Sequence, residues 1–135
     1  MDTARGKLDL KLRVNPSVIV LEETNILNLE KLPERIDVVS IDVSLTSLRT
    51  VFPILHRFLK ESGEVVALFK PQYEIEDKNA LRHGMVKDDA VREKTLADFI
   101  AWLGTNGWRV LAQTQSPIRG SEGNIEYLIY AKPIS

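Results

Sequence analysis

"VVSIDVSL" at residues 38–45 and "VVALFKPQYE" at residues 65–74 decide the fold. Both runs are rich in Val, Ile and Leu and read as buried strands, and each carries one charge near its carboxyl end, Asp42 and Lys70. A charge in an apolar strand is costly unless it sits where a partner or solvent can reach it. Its recurrence at the same end of two strands asks for a common cause.

Working outward, the chain alternates strand and helix patterns. The segment 6–13 reads as helical. "SVIVLEE" (17–23) reads as a buried strand after the turn signal Asn15–Pro16, and 36–45 as the next strand. Residues 47–61 predict a helix, with Leu48, Val51, Phe52, Leu55 and Leu59 on one face. Pro53 is expected to divide it into a short turn and a main helix starting near the proline, with "ESG" (61–63) ending it. A third strand covers 64–70, followed by an irregular stretch to about residue 87. Asp88 caps a long helix whose apolar side holds Val91, Leu96, Phe99, Ile100 and Leu103, stopped by Gly104 and Gly107. Residues 108–116 and 124–133 read as the last two strands, joined by a Gly-rich loop. This order predicts an α/β fold whose open sheet is mostly parallel, with an antiparallel last strand.

Composition bounds the function. At 135 residues the chain is one domain of ordinary size, with 44% hydrophobic and 27% charged residues, as in soluble globular chains. No apolar run reaches the length of a membrane span, and residues 1–16 do not resemble a secretory signal. The absence of cysteine excludes disulfides, thiolate metal sites and cysteine nucleophiles, and is compatible with a cytoplasmic location. His56 and His83 are the only histidines, so no metal centre built on several histidines is expected. A net charge of −1 argues against gripping nucleic acid through bulk charge alone.

In open α/β sheets, ligands bind beyond the carboxyl ends of the parallel strands. Asp42 and Lys70 lie at those ends, and Glu126 lies early in the last strand, which begins where its neighbours finish. The three charges are expected to converge on one rim. By position alone an ion-pair network without chemistry is the favoured account; coupled charges at a cleft favour a site. Trp102 and Trp108 adjoin apolar positions and read as packing residues rather than stacking platforms.

"IDVSLTSL", "VALFKPQYE" and "SPIRGSEGNIEYLIY", in this order and spacing, resemble the methyltransferase domain of the TlyA-type proteins, FtsJ-like RNA ribose 2′-O-methyltransferases often labelled hemolysins. The resemblance runs from Asp2 to about Pro133. It implies a Rossmann-like methyltransferase sheet, S-adenosylmethionine as cofactor and ribosomal RNA as partner. Of the family's Lys–Asp–Lys–Glu tetrad, the last three map onto Asp42, Lys70 and Glu126. Such a site suits the chemistry, because a ribose 2′-hydroxyl is a poor nucleophile that a lysine held by carboxylates can assist. By the same resemblance Asp2 would meet the cofactor's ribose hydroxyls, and Glu23, Thr24 and Asn25 would lie near its adenine. Arg82, His83 and Lys87 in "LRHGMVKDDA" would face RNA or cover the pocket, and Arg119 and Gly120 in "SPIRGSEGN" would face RNA; a solvated loop is the plainer account of the first three.

The resemblance also implies missing parts. The family's glycine-rich cofactor loop, its first tetrad lysine and an amino-terminal S4-like RNA-binding domain have no counterpart in these residues. A truncated chain, a misassigned start or a degraded gene would each explain this. The first central strand, between the strand at 17–23 and that at 36–45, would then be missing. Unpaired backbone groups there predict a rearranged sheet or a homo-oligomer. Weak or no catalysis is expected of this chain alone. The competing expectation is a non-catalytic RNA-binding or assembly module that keeps the methyltransferase fold. Membrane lysis finds no basic amphipathic helix to support it.

Overall fold

The run at 36–45 forms a strand, though a shorter one: in the computed structural model, which describes residues 1–134, β1 spans Ile36–Ile41. It belongs to the larger of two compact units, which begins at Glu34; the smaller is Met1–Pro33.

The larger unit is built on a four-stranded sheet. Its strands are β1, β2 (Leu59–Phe69), β5 (Trp108–Gln115) and β6 (Tyr127–Pro133), in the order β1-β2-β6-β5. β1 and β2 are parallel, and β6 runs antiparallel to both β2 and β5. Three strands therefore point one way and the last one returns, as the sequence predicts. β1 lies at the edge of this sheet.

Two helices cover one face. α2 (Leu48–Leu55) buries Leu48, Val51, Phe52 and Leu55, and α4 (Asp89–Thr105) buries Leu96, Phe99 and Leu103. Alternate β2 residues Val65, Ala67 and Phe69 point into this core, while Val66 between them is 38% exposed. Aromatic rings lock the layers: Phe99 meets Phe52 at 5.8 Å and Phe69 at 5.0 Å, and Phe52 meets Trp108 edge-on at 5.1 Å. Trp108 is fully buried and Trp102 stacks on Phe99, so both are packing residues as read.

Several expected elements differ. α2 does not begin at Pro53 but encloses it. Its start is fixed upstream, where Ser47 Oγ accepts from Arg49 N–H, and the apolar face from Leu48 to Leu55 holds the short helix against the core. The "ESG" segment lies within β2, and the β1–β2 register shifts there: Ile36 faces Leu59 but Val38 faces Glu64. Gly63 is required in this bulge, because a Cβ would stand 2.8 Å from the Lys60 carbonyl. Asp88 caps α4 as expected, its Oδ1 accepting from Ala90 and Val91 N–H. Gly104 lies inside that helix, and Gly107 follows it at φ +87°.

The stretch after Lys70 is more ordered than the sequence suggests. α3 (Pro71–Glu74) is one short turn, and β3 (Leu81–Arg82) pairs with β4 (Met85–Val86) across His83 and Gly84. Both turn residues have positive φ, 52° and 75°, as a tight two-residue hairpin requires.

In the smaller unit the expected strand at 17–23 is absent, and the expected helix at 6–13 shrinks to α1 (Leu10–Arg13), capped by Asp9. Leu8, Leu10 and Leu12 follow a period of two, which gives a helix no apolar face. A β-rich run becomes a strand only when a regular neighbour takes its backbone groups. Here residues 2–4 meet 21–24 through isolated bonds: Asp2 N–H to Leu21 O, Glu23 N–H to Ala4 O and Thr24 N–H to Asp2 O, each near 3 Å.

Candidate active site

Sheet register sets the rim. Phe69 is paired with Tyr127, so the next residue out on β2, Lys70, and the residue before β6, Glu126, lie beyond the same pair. Asp42 follows Ile41, the last residue of the parallel neighbour β1.

Lys70 Nζ lies 2.6 Å from Asp42 Oδ1 and donates to Ser44 Oγ at 3.3 Å. The lysine side chain is 13% exposed, whereas that of Asp42 is 69% exposed. The pair therefore has a sheltered cation and an open carboxylate. Glu126 is 4% exposed, and its partner is Gln72, whose Nε2 donates to Glu126 Oε2 at 2.9 Å. Among the described residues no ion pair joins Glu126 to Lys70. The sequence-predicted trio thus lies at the same end of the sheet, with Lys70 and Asp42 in contact and Glu126 bonded to Gln72 instead.

A third carboxylate binds together the segments that carry Asp42 and Lys70. Glu74, at the end of α3, accepts from Ser47 Oγ and from Leu48 N–H, both at 2.6 Å, with Arg49 at 3.8 Å. It caps α2 from another segment and so ties the turn after β2 to the loop after β1. Burial pushes the Glu74 carboxyl above its usual range, against the opposing pull of these donors and Arg49.

The basic candidates are exposed and carried on a fixed frame. Arg82 sits on β3, His83 in the turn and Lys87 just after β4. Arg119 Nη1 donates to Gly123 O at 3.1 Å. Asn124, 1% exposed, joins the two segments: its Oδ1 accepts from Val86 N–H at 3.0 Å, and its Nδ2 donates to Gly84 O and Ser121 O. In the smaller unit the Ala4 N–H holds the Asp2 carboxyl below its usual range. Glu23 has φ 51°, Thr24 Oγ1 donates to Glu22 O, and Asn25 Oδ1 accepts from Leu27 N–H. An exposed, ionised Asp2 whose Oδ1 meets Ala4 suits a hydroxyl-rich sugar edge.

The FtsJ-like methyltransferase pattern matches residues 1–133. The chain belongs to this family. FtsJ-like relatives at comparable similarity include the 16S/23S rRNA (cytidine-2'-O)-methyltransferase TlyA of Mycobacterium tuberculosis, 33% identical over 97% of this chain and 50% of its own length. The 23S rRNA (cytidine-2'-O)-methyltransferase TlyA of Campylobacter jejuni is 36% identical over 96% of this chain and 51% of its own. A structure described as a hemolysin from Streptococcus thermophilus superposes with a TM-score of 0.92 at 32% identity, covering 98% of this chain and 49% of that one. One described as an O-methyltransferase from Klebsiella pneumoniae, at 13% identity and a TM-score of 0.51, shares the fold alone, over 87% of this chain and 50% of that one. The FtsJ-like chain spans about half the length of the curated relatives it matches. Its sheet is Rossmann-like, and no described helix is long and apolar enough to cross a membrane.

Sequence reasoning missed Gln72, Glu74 and Asn124, and read Gly120 only as a residue facing RNA, not as one packed on Glu126. The first two stand in the quoted "FKPQYE", where the lysine alone drew notice.

Proposed function

We propose that the full-length protein transfers a methyl group from S-adenosylmethionine to a ribose 2′-hydroxyl of ribosomal RNA in the cytoplasm, at the rim formed by Asp42, Lys70 and Glu126. The observation that carries this is the 2.6 Å Lys70–Asp42 pair at the strand ends, with Glu126 beyond the adjoining register position. When bound, the cofactor supplies an electrophilic methyl carbon. As the neutral amine, Lys70 Nζ accepts the ribose hydroxyl's hydrogen bond and then its proton as the oxygen becomes a nucleophile. Asp42 orients the ammonium that results, Ser44 limits its swing, and Glu126 fixes the polar wall beside it. Asp2 would take the cofactor's ribose hydroxyls, and Glu23, Thr24 and Asn25 its adenine. Arg82, His83, Lys87 and Arg119 would meet RNA phosphates, on a frame that Asn124 holds in shape.

Replacing Lys70 with Ala in the full-length protein should abolish transfer from labelled S-adenosylmethionine while the melting curve is retained. Undiminished transfer removes Lys70 from the mechanism. The present chain alone is expected to transfer little or nothing. A second reading, a non-catalytic RNA-binding or assembly module, draws on the separation of Glu126 from Lys70. Calorimetry with S-adenosylmethionine distinguishes them, since micromolar binding by this chain counts against the module. Self-association through the edge strand β1 is part of the proposal, and sedimentation of the chain at two concentrations tests it.

A further inference from the structure

The Glu126 carboxylate is held from two sides. Gln72 Nε2 donates to its Oε2 at 2.9 Å. Behind it stands Gly120, where an added Cβ would lie 1.9 Å from the same oxygen and 2.3 Å from Cδ. No side chain at position 120 leaves this carboxylate in place.

Gln72 accepts a disadvantage in this arrangement. Its other amide atom, Oε1, is buried and has no hydrogen-bond partner among the described residues. Buried acceptors are nearly always paired, and a glutamine kept only for stability would have both ends satisfied. Turning the amide over would set its oxygen against the carboxylate, acceptor facing acceptor. The orphaned oxygen is the consequence of serving Glu126. The lever is short as well: Lys70 is the residue before α3 and Gln72 is its second residue, so one turn of chain sets both.

We infer that Gln72 and Gly120 are positioning residues that fix Glu126 for the methyl transfer proposed above, an inference that rests on that proposal. Neither touches the reacting atoms; both act through the carboxylate.

The test uses the full-length protein with saturating ribosomal RNA and labelled S-adenosylmethionine. Glu126→Gln reports whether the carboxylate serves the reaction at all. Gln72→Met keeps the side chain's length without its donor. Gly120→Ala displaces the carboxylate, because every atom its Cβ strikes belongs to the Glu126 side chain and none to the backbone. Each of the latter two should lower kcat by about ten- to a hundredfold, as for loss of a hydrogen bond to a charged group, with KM for the cofactor unchanged. In the Glu126→Gln background neither should lower kcat further, because what they position is already gone.

Slow Glu126→Gln with fully active Gln72→Met and Gly120→Ala overturns the positioning role and leaves the methyl-transfer proposal standing. Additive losses in the double variants overturn it too. Full activity of Glu126→Gln removes Glu126 from the proposed mechanism and the positioning role with it. Should Gln72→Met fail to melt cooperatively, Gly120→Ala alone decides by the same criteria.

Discussion

Glu22 and Glu74 are bound alike and behave oppositely. Each accepts a backbone N–H, from Gly6 and Leu48 respectively, and each has an arginine beside it, Arg13 and Arg49. The Gly6 N–H pulls the Glu22 carboxyl below its usual range, aided by Arg13, whereas burial raises that of Glu74. The Glu74 side chain is 1% exposed and that of Glu22 is 20% exposed. The contrast extends to the units they belong to. No described residue of Met1–Pro33 is buried, while the larger unit has a continuous aromatic and aliphatic core. One region is held by local polar bonds with water nearby; the other has enough apolar cover to set the electrostatics of what it encloses.

That comparison breaks most visibly if the core proves soft. Phe99 is fully buried against Phe52 and Phe69. Phe99→Ala should cost about 3–5 kcal/mol in urea unfolding, the range for emptying an aromatic core site. A cost near zero would mean that the larger unit is no better packed than the smaller.

Asn124→Ala comes next. It strands the buried Val86 N–H and leaves the part-buried carbonyls of Gly84 and Ser121 without this donor. About 1–3 kcal/mol of stability should be lost, with faster hydrogen exchange at Val86. Unchanged exchange there would show that the hairpin is held by something else.

The two carboxylates give a pH test with opposite signs. Folded Glu74 binds its proton more tightly than the unfolded chain does, so its contribution to stability falls as pH rises from the ordinary carboxylate range to its raised value. Glu22 contributes stability above the ordinary range that is lost as pH falls through its depressed value. Denaturant midpoints measured from neutral pH down to below the ordinary carboxylate range should therefore lose the first trend in Glu74→Gln and keep the second. The smallest effect belongs to Ile19→Ala in the smaller unit: at 66% exposure it should shift stability by no more than about 0.5 kcal/mol. A larger loss would show that residue 19 is packed after all.

How much was legible follows from the same physics. β1, β5, β6, the second half of β2 and the Asp88-capped α4 stand where local pattern and caps put them, whereas β2 begins at Leu59, inside the stretch that reads as helix. The strand expected at 17–23 has an apolar pattern much like that of β1, but pairing partners are not encoded within a run. The start of α2 escaped notice because half of its cap, Glu74, is 26 residues away from Leu48. The Gln72–Glu126 bond spans 54 positions and leaves no local trace. The rim charges were legible because strand ends in an open sheet converge whatever the details of packing.

The most direct measurement of the central claim is the content of 2′-O-methylated nucleosides in ribosomal RNA. It is read by mass spectrometry from cells whose only copy of the full-length protein is either wild type or Lys70→Met. Methylation present with the wild type and lost with Lys70→Met is the predicted result. Equal methylation in both would contradict the assignment of methyl transfer to the Asp42–Lys70 rim.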